Sequence, residues 1–381
     1  MQIYVVKQGD TVNEIASAYG VNPETIIFDN QLIYPYLLAI GQALLIDDGE
    51  RERTKEVKSN GFAYPFISRW VLENTLPYLS ELSIFSYGFT TEGELIPPIL
   101  DEEWMIEMAL NTSTMPILTL TPFGADGNFD NTLINAIVND IESRDRLIEN
   151  LLGVMQEKSY GGLDIDFEFI KAEDRDAFIE FVRACTERMH QVGFQVSVDL
   201  APKTSAMQKG ILYEGKDYRA IGEIADHVLI MTYEWGYTYG PPMAVAPLNM
   251  VRNVLEYAVT EIPPEKISMG IPNYGYDWEL PYERGVTRAK TIGNIEAVRI
   301  AISRGVEIKF DEVAMTPYFN YDSNGITHEV WFEDARSIQA KYELLEELNL
   351  RGPGFWQIMQ LFRINWLLLE DNFFISKEDF R

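Results

Sequence analysis

Two spacings of apolar residues divide this chain into parts. Near the start, Tyr4-Val5-Val6 reads as a short strand. The turn Gln8-Gly9-Asp10-Thr11 then caps a helix on which Val12, Ile15, Ala16 and Tyr19 recur at helical spacing until Gly20. Asn22-Pro23 opens a second helix carrying Ile26, Ile27 and Phe28, Asn30 ends it, and Ala43–Ile46 closes the unit as a strand. The pattern predicts a separate βααβ module over residues 1–48. Residues 49–59 are charge-dense and read as an exposed linker. Beyond it, eight apolar runs read as strands: 61–68, 82–88, 116–121, 162–169, 195–200, 227–233, 267–272 and 354–358. Amphipathic helical stretches separate most of them, most clearly 140–156, 174–192 and 248–259. This alternation predicts an α/β fold, a (β/α)8 TIM barrel over residues 60–381. The long gap after strand seven holds three further short strands, at 306–310, 317–322 and 328–332. They suggest a small α+β insertion, about residues 277–335, forming a wall over the site.

Composition narrows the class. At 46% hydrophobic and 12% aromatic, 381 residues can bury a sizeable core. The net charge of −28 repels nucleic acid and anionic lipid, so neither is expected as a partner. No apolar run reaches the length of a membrane span, and no basic-then-apolar secretory signal opens the chain. Cys185, the single cysteine, reads as a buried thiol, and His190, His227 and His328 lack ligand spacing.

The chemistry concentrates in Gly161-Gly162-Leu163-Asp164-Ile165-Asp166-Phe167-Glu168. On a strand, Asp164, Asp166 and Glu168 fall on one face and the apolar residues on the other. Three carboxylates in a row are unfavourable unless a site uses them. They could in principle hold a hard cation. The flat i, i+2, i+4 spacing does not wrap an ion, so no metal and no other cofactor is expected.

The strand-four row resembles the Asp-x-x-Asp-x-Asp-x-Glu signature of glycoside hydrolase family 18, with Gly161 in place of the first aspartate. Met231-Thr232-Tyr233, Gly354-Phe355-Trp356, Phe85-Ser86-Tyr87-Gly88 and Gly270-Ile271-Pro272 fit the family's strands six, eight, two and seven. The resemblance implies substrate-assisted hydrolysis with retention, the sugar's 2-acetamido oxygen acting as nucleophile. It makes Glu168 the acid and then the base, its proton held by burial and by Asp166. Asp166 would take the acetamide N–H, Asp164 would share its proton, and Tyr233 would donate to the acetamide oxygen. Trp356 would floor the subsite, with Glu234, Met231 and Tyr87 as further substrate contacts.

Residues 3–46 resemble a LysM module, a binder of N-acetylglucosamine-containing glycans. The resemblance implies sugar contacts at Gly9, Asp10, Thr11, Asn30 and Ile40. The loop Ile33-Tyr34-Pro35-Tyr36-Leu37-Leu38 is longer and more aromatic than the LysM pattern. A LysM module joined to this barrel, and the run Met231-Thr232-Tyr233-Glu234-Trp235-Gly236-Tyr237 with Gly240-Pro241-Pro242, resemble the spore-cortex-lytic glycosidases of spore-forming bacteria. The branch implies an N-acetylglucosaminidase acting on cortex peptidoglycan or its fragments. It would be made in the cytoplasm and deposited in the spore coat or cortex. A chitinase or chitooligosaccharide hydrolase is the second reading, and a non-catalytic glycan binder the third.

Overall fold

A computed structural model of the chain describes residues 1–51, 53–124 and 127–377. Glu52 of the expected linker and residues 125–126 and 378–381 of the expected barrel span lie outside the described residues. Eight parallel strands close into a barrel: Asn60–Ala63, Glu81–Phe89, Met115–Leu120, Gly162–Ile165, Gln195–Leu200, His227–Ile230, Ile267–Pro272 and Gly352–Trp356. Each pairs with its neighbour, and the last returns to the first through Gly354 opposite Asn60. They are barrel strands 1 to 8 below.

Strands 1, 4 and 6 stop short of the expected 61–68, 162–169 and 227–233, because the ladder opens at the rim. Past Ile165 the chain stays extended for a moment, with Asp166 N–H donating to the Leu120 carbonyl at 3.0 Å. The period-2 alternation persists there. Phe167 stacks on Phe181 of the helix Arg175–His190, at 5.4 Å between ring centres, while Asp164 and Asp166 face the barrel interior and its mouth.

The insertion is a five-stranded antiparallel sheet with one helix, Asn294–Arg304. Besides Lys309–Asp311, Thr316–Ser323 and Ile326–Trp331 it contains Gly275–Leu280 and Lys290–Ile292. Gly275–Leu280 begins three residues after strand 7 and follows it so closely that the sequence shows no break.

The N-terminal module pairs Gln2–Val5 with Ala43–Ile46 around the helices Val12–Tyr19 and Pro23–Asp29. Its own core gathers Val6, Val12, Ile15, Ile26, Leu44 and Ile46. The module is docked on the rest of the chain. Ala39 joins the insertion's apolar core, and Ile308 N–H donates to the Ile40 carbonyl at 2.9 Å. The stretch 49–59 corrects the linker expectation. Lys55–Val57 forms a parallel pair with Phe373–Ile375, and Val57 and Ser59 are buried. Within that strand Glu56 is exposed and Val57 buried.

Candidate active site

The C-terminal ends of the strands open into a cleft of about 480 Å³. Strand 4 brings Asp166 and Glu168 to it, strand 5 Asp199 and strand 6 Met231, Tyr233 and Glu234. Trp356, the last residue of strand 8, lies beneath, packed against Phe85 at 5.0 Å and Phe62 at 5.9 Å between ring centres. The peptide bonds Phe85–Ser86 and Trp356–Gln357 are cis.

The acids form a depth series. Asp164 is innermost and accepts from the Ser197 hydroxyl at 2.6 Å. Asp166 is buried one pleat above it, and Glu168 is half-buried at the mouth. Burial pushes all three carboxyls above their ordinary range, Asp164 to about 7. The charge of Glu168 adds to the effect at Asp166. At neutral pH the row therefore holds protons that exposed carboxylates would have released. The Tyr233 hydroxyl is likewise held neutral, by burial and by Asp199.

Glu234 adopts a left-handed backbone, φ 68°, uncommon for a residue with a side chain. Tyr274 and Tyr276 both donate their hydroxyls to its carboxylate, which burial nevertheless pushes up. These tyrosines escaped the sequence reading, although their alternation just past strand 7 puts both on one face. Asp199 escaped it too. An acid inside the apolar run Val196-Ser197-Val198-Asp199-Leu200 carries the same signal as the row on strand 4.

Two expected contacts have other places. Tyr87 is buried away from the cleft, its hydroxyl donating to Glu102 at 2.5 Å. A register irregularity between Ile84 and Tyr87 leaves Phe85 on the cleft side and turns Tyr87 toward the helix layer. Asn30 is buried, its amide donating to the Ile26 and Leu45 carbonyls and accepting from Leu45 N–H at 2.7 Å. With both ends engaged, it braces the module from inside. Gly9 and Thr11 are exposed. Asp10 accepts from Tyr4 at 2.6 Å, Thr11 caps the first helix through Glu14 N–H, and Ile40 lies where the module meets the insertion.

A closed parallel barrel with an acidic cleft at its C-terminal mouth and an aromatic floor is the arrangement of a barrel glycosidase. Residues 113–360 match glycosyl hydrolases family 18, and residues 4–47 match the LysM domain. The chain belongs to glycoside hydrolase family 18 and carries a LysM domain at its N-terminal end. It is 38% identical to the cortical fragment-lytic enzyme of Bacillus subtilis (strain 168), across 100% of both chains. The crystal structure of the spore cortex-lytic enzyme SleL of Bacillus cereus superposes with a TM-score of 0.94 at 34% identity, covering 99% of each chain. A chitinase from Chromobacterium violaceum shares the fold, with a TM-score of 0.77 at 22% identity over 83% of this chain and 98% of that one. Among the described residues, no helix is long and apolar enough to cross a membrane.

Proposed function

We propose that this protein is a retaining N-acetylglucosaminidase that cleaves the β-1,4 bond after N-acetylglucosamine in spore-cortex peptidoglycan or its fragments. The carboxylate depth series carries the reading: a partly buried acid, Glu168, stands over two fully buried ones, Asp166 and Asp164. Glu168 enters the reaction protonated, gives its proton to the leaving oxygen, and later takes one from water. The nucleophile is the substrate's own acetamide oxygen. Asp166 accepts the acetamide N–H and balances the positive oxazolinium, while Asp164 holds the proton that Asp166 gives up. Tyr233 donates to the acetamide oxygen. Trp356 and Met231 floor the subsite, and Glu234, steadied by two tyrosines, reaches a sugar hydroxyl. This division of labour restricts the substrate to sugars with a 2-acetamido group.

The full-length similarity to enzymes named for cortex and cortical fragments supports the choice of polymer. The LysM module would hold the glycan through the exposed Gly9–Thr11 turn, with the Ile40 edge beside the insertion. In this reading the protein is made in the cytoplasm of a spore former and deposited in the spore coat or cortex; the likeness to spore cortex-lytic enzymes supports the spore location.

Parallel digests of intact cortex, cortex fragments and chitin oligomers test the proposal. Glu168→Gln should cut reducing-end release from cortex fragments by about 10²–10⁴-fold. Equal release by the variant removes Glu168 as the acid. Fast chitin cleavage with no action on either cortex substrate replaces the polymer by chitin.

A further inference from the structure

A buried cation lies beside the acids, and the chemistry above does not use it. Lys216 is 1% exposed, and its Nζ donates to the backbone carbonyl of Asp199 at 3.2 Å. It sits on the loop between strand 5 and the helix Tyr218–Ile224, and that loop is pressed onto the chain leaving Glu168. A Cβ built on Gly215 would meet the Ile170 carbonyl oxygen at 2.2 Å, so only glycine allows this approach. Lys203 Nζ ties down the loop's far side by donating to the Lys216 carbonyl at 2.8 Å. Tyr218 locks both, donating to the Ala201 carbonyl at 2.5 Å and accepting from Lys203 N–H at 3.0 Å.

Asp199 stands next to the row by strand register. Asp164 pairs with Ser197 and Ile165 with Val198, which carries Asp166 to the level of Asp199. One carboxylate oxygen each of Asp164, Asp166 and Asp199 is buried without a hydrogen-bond partner. Three of these acids, Asp166, Glu168 and Asp199, face the one buried ammonium of Lys216.

We propose that Asp199 and Lys216 are a pair of positioning residues that sets where the proton of the Asp166–Glu168 couple resides and at which pH the couple works. This rests on the reading of Glu168 as proton donor. Burial disfavours every ion in the cluster, and the positive charge of Lys216 opposes that effect at Asp166, Glu168 and Asp199. Lys216 itself is pushed down by burial and held up by those three acids, against the like charge of Lys203. From the other sides, Glu81 faces Asp164, and Glu234 with its two tyrosines faces Glu168. The phenols of Tyr64 and Tyr233 face Asp166 and Glu168 and stay neutral, Tyr64 pushed up to about 12 by its burial and these charges.

The test is the pH profile of kcat/KM in the full chain, on whichever glycan the wild type cleaves. Lys216→Met removes the counter-charge, so both limbs should move to higher pH by about one unit. Lys216→Arg should restore the wild-type profile. Asp199→Asn removes an acid able to ionise in the cluster while keeping shape, and both limbs should move down. A Lys216→Met enzyme slowed at all pH values with its limbs in place overturns the proposal, because a propping role moves no limb. Should Lys216→Met fail to fold, Asp199→Asn carries the same test with opposite sign, and unmoved limbs overturn the proposal there as well. Wild-type activity in Glu168→Gln instead overturns the proton-donor reading, and this inference with it. Unmoved limbs beside an inactive Glu168→Gln overturn the inference alone.

Discussion

At the N-terminal end of the barrel, Glu81 meets Arg351 at 2.5 Å, Gln195 at 2.9 Å and His227 at 3.5 Å. At the C-terminal end, Asp166, Glu168 and Asp199 share Lys216, with Asp164 buried beneath them. Both clusters are buried, yet they treat protons oppositely. Burial would raise the Glu81 carboxyl, but Arg351 and His227 outweigh it and hold it down at about 2. His227 is itself pushed down to about 3 by burial and by Arg351, so it is neutral at pH 7 and the ion pair belongs to Arg351. At the C-terminal end, acids outnumber the cation and burial wins, with the innermost acid, Asp164, raised to about 7. A dry interior therefore does not dictate a carboxyl's state; the number and placement of its partners does. The lower end uses its charges to hold strands 2, 5, 6 and 8 together, and the upper end keeps its carboxyls raised beside the cleft.

The largest contrast should appear on breaking the lower pair. Glu81→Gln leaves Arg351 buried without its counter-ion and should cost about 3–5 kcal/mol of stability at pH 7. The folded pKa of Glu81 lies below its unfolded value. Its contribution is therefore present above about 4.5 and lost as pH falls toward 2. Denaturant unfolding of both proteins between pH 7 and pH 2.5 should show the gap closing, while the rate per folded molecule stays unchanged. A gap constant with pH would mean that Glu81 acts by packing alone.

The upper end predicts the reverse sign. Asp164 binds its proton more tightly folded than unfolded, so its contribution is complete below about 3.8 and lost as pH rises through about 7. The wild type should lose about 2 kcal/mol more than Asp164→Asn between pH 4 and pH 8, a figure reduced for coupling within the row. Denaturation midpoints at the two pH values measure it. Parallel losses in the two proteins would show that Asp164 is not the group holding that proton.

The sequence disclosed the upper end better than the lower. Asp164, Asp166 and Glu168 announced themselves by spacing along one strand, and the barrel by its apolar runs. Glu81, Gln195, His227 and Arg351 each begin or precede a strand, separated by up to 270 residues, and only closure of the barrel brings them together. Lys216 was hidden for the same reason, since its burial depends on Gly215 lying against Ile170. The strand Lys55–Val57 was missed because its partner, Phe373–Ile375, is remote in sequence, and Asn30 turns inward because its amide finds Ile26 and Leu45 within its own module. A periodic pattern reports which face is apolar; it does not report which polar group will find a partner.

Tyr87 offers the smallest effect and sharpens where the upper end stops. It lies on strand 2, near the cleft in sequence terms, but its hydroxyl serves Glu102, which Lys158 also binds at 2.8 Å. Because Glu102 keeps the lysine, Tyr87→Phe should cost only about 1 kcal/mol of stability. The value of kcat/KM should stay within about twofold, since uniform packing losses do not alter transition-state contacts. Parallel measurement of unfolding midpoint and kcat/KM separates the two roles. A tenfold loss of rate with an unchanged midpoint would return Tyr87 to the substrate and extend the cleft past Phe85. The expected pattern, a small stability change with no change in rate, would end the catalytic surface on strand 2 at Phe85 and assign Tyr87, Glu102 and Lys158 to joining the barrel to its helices.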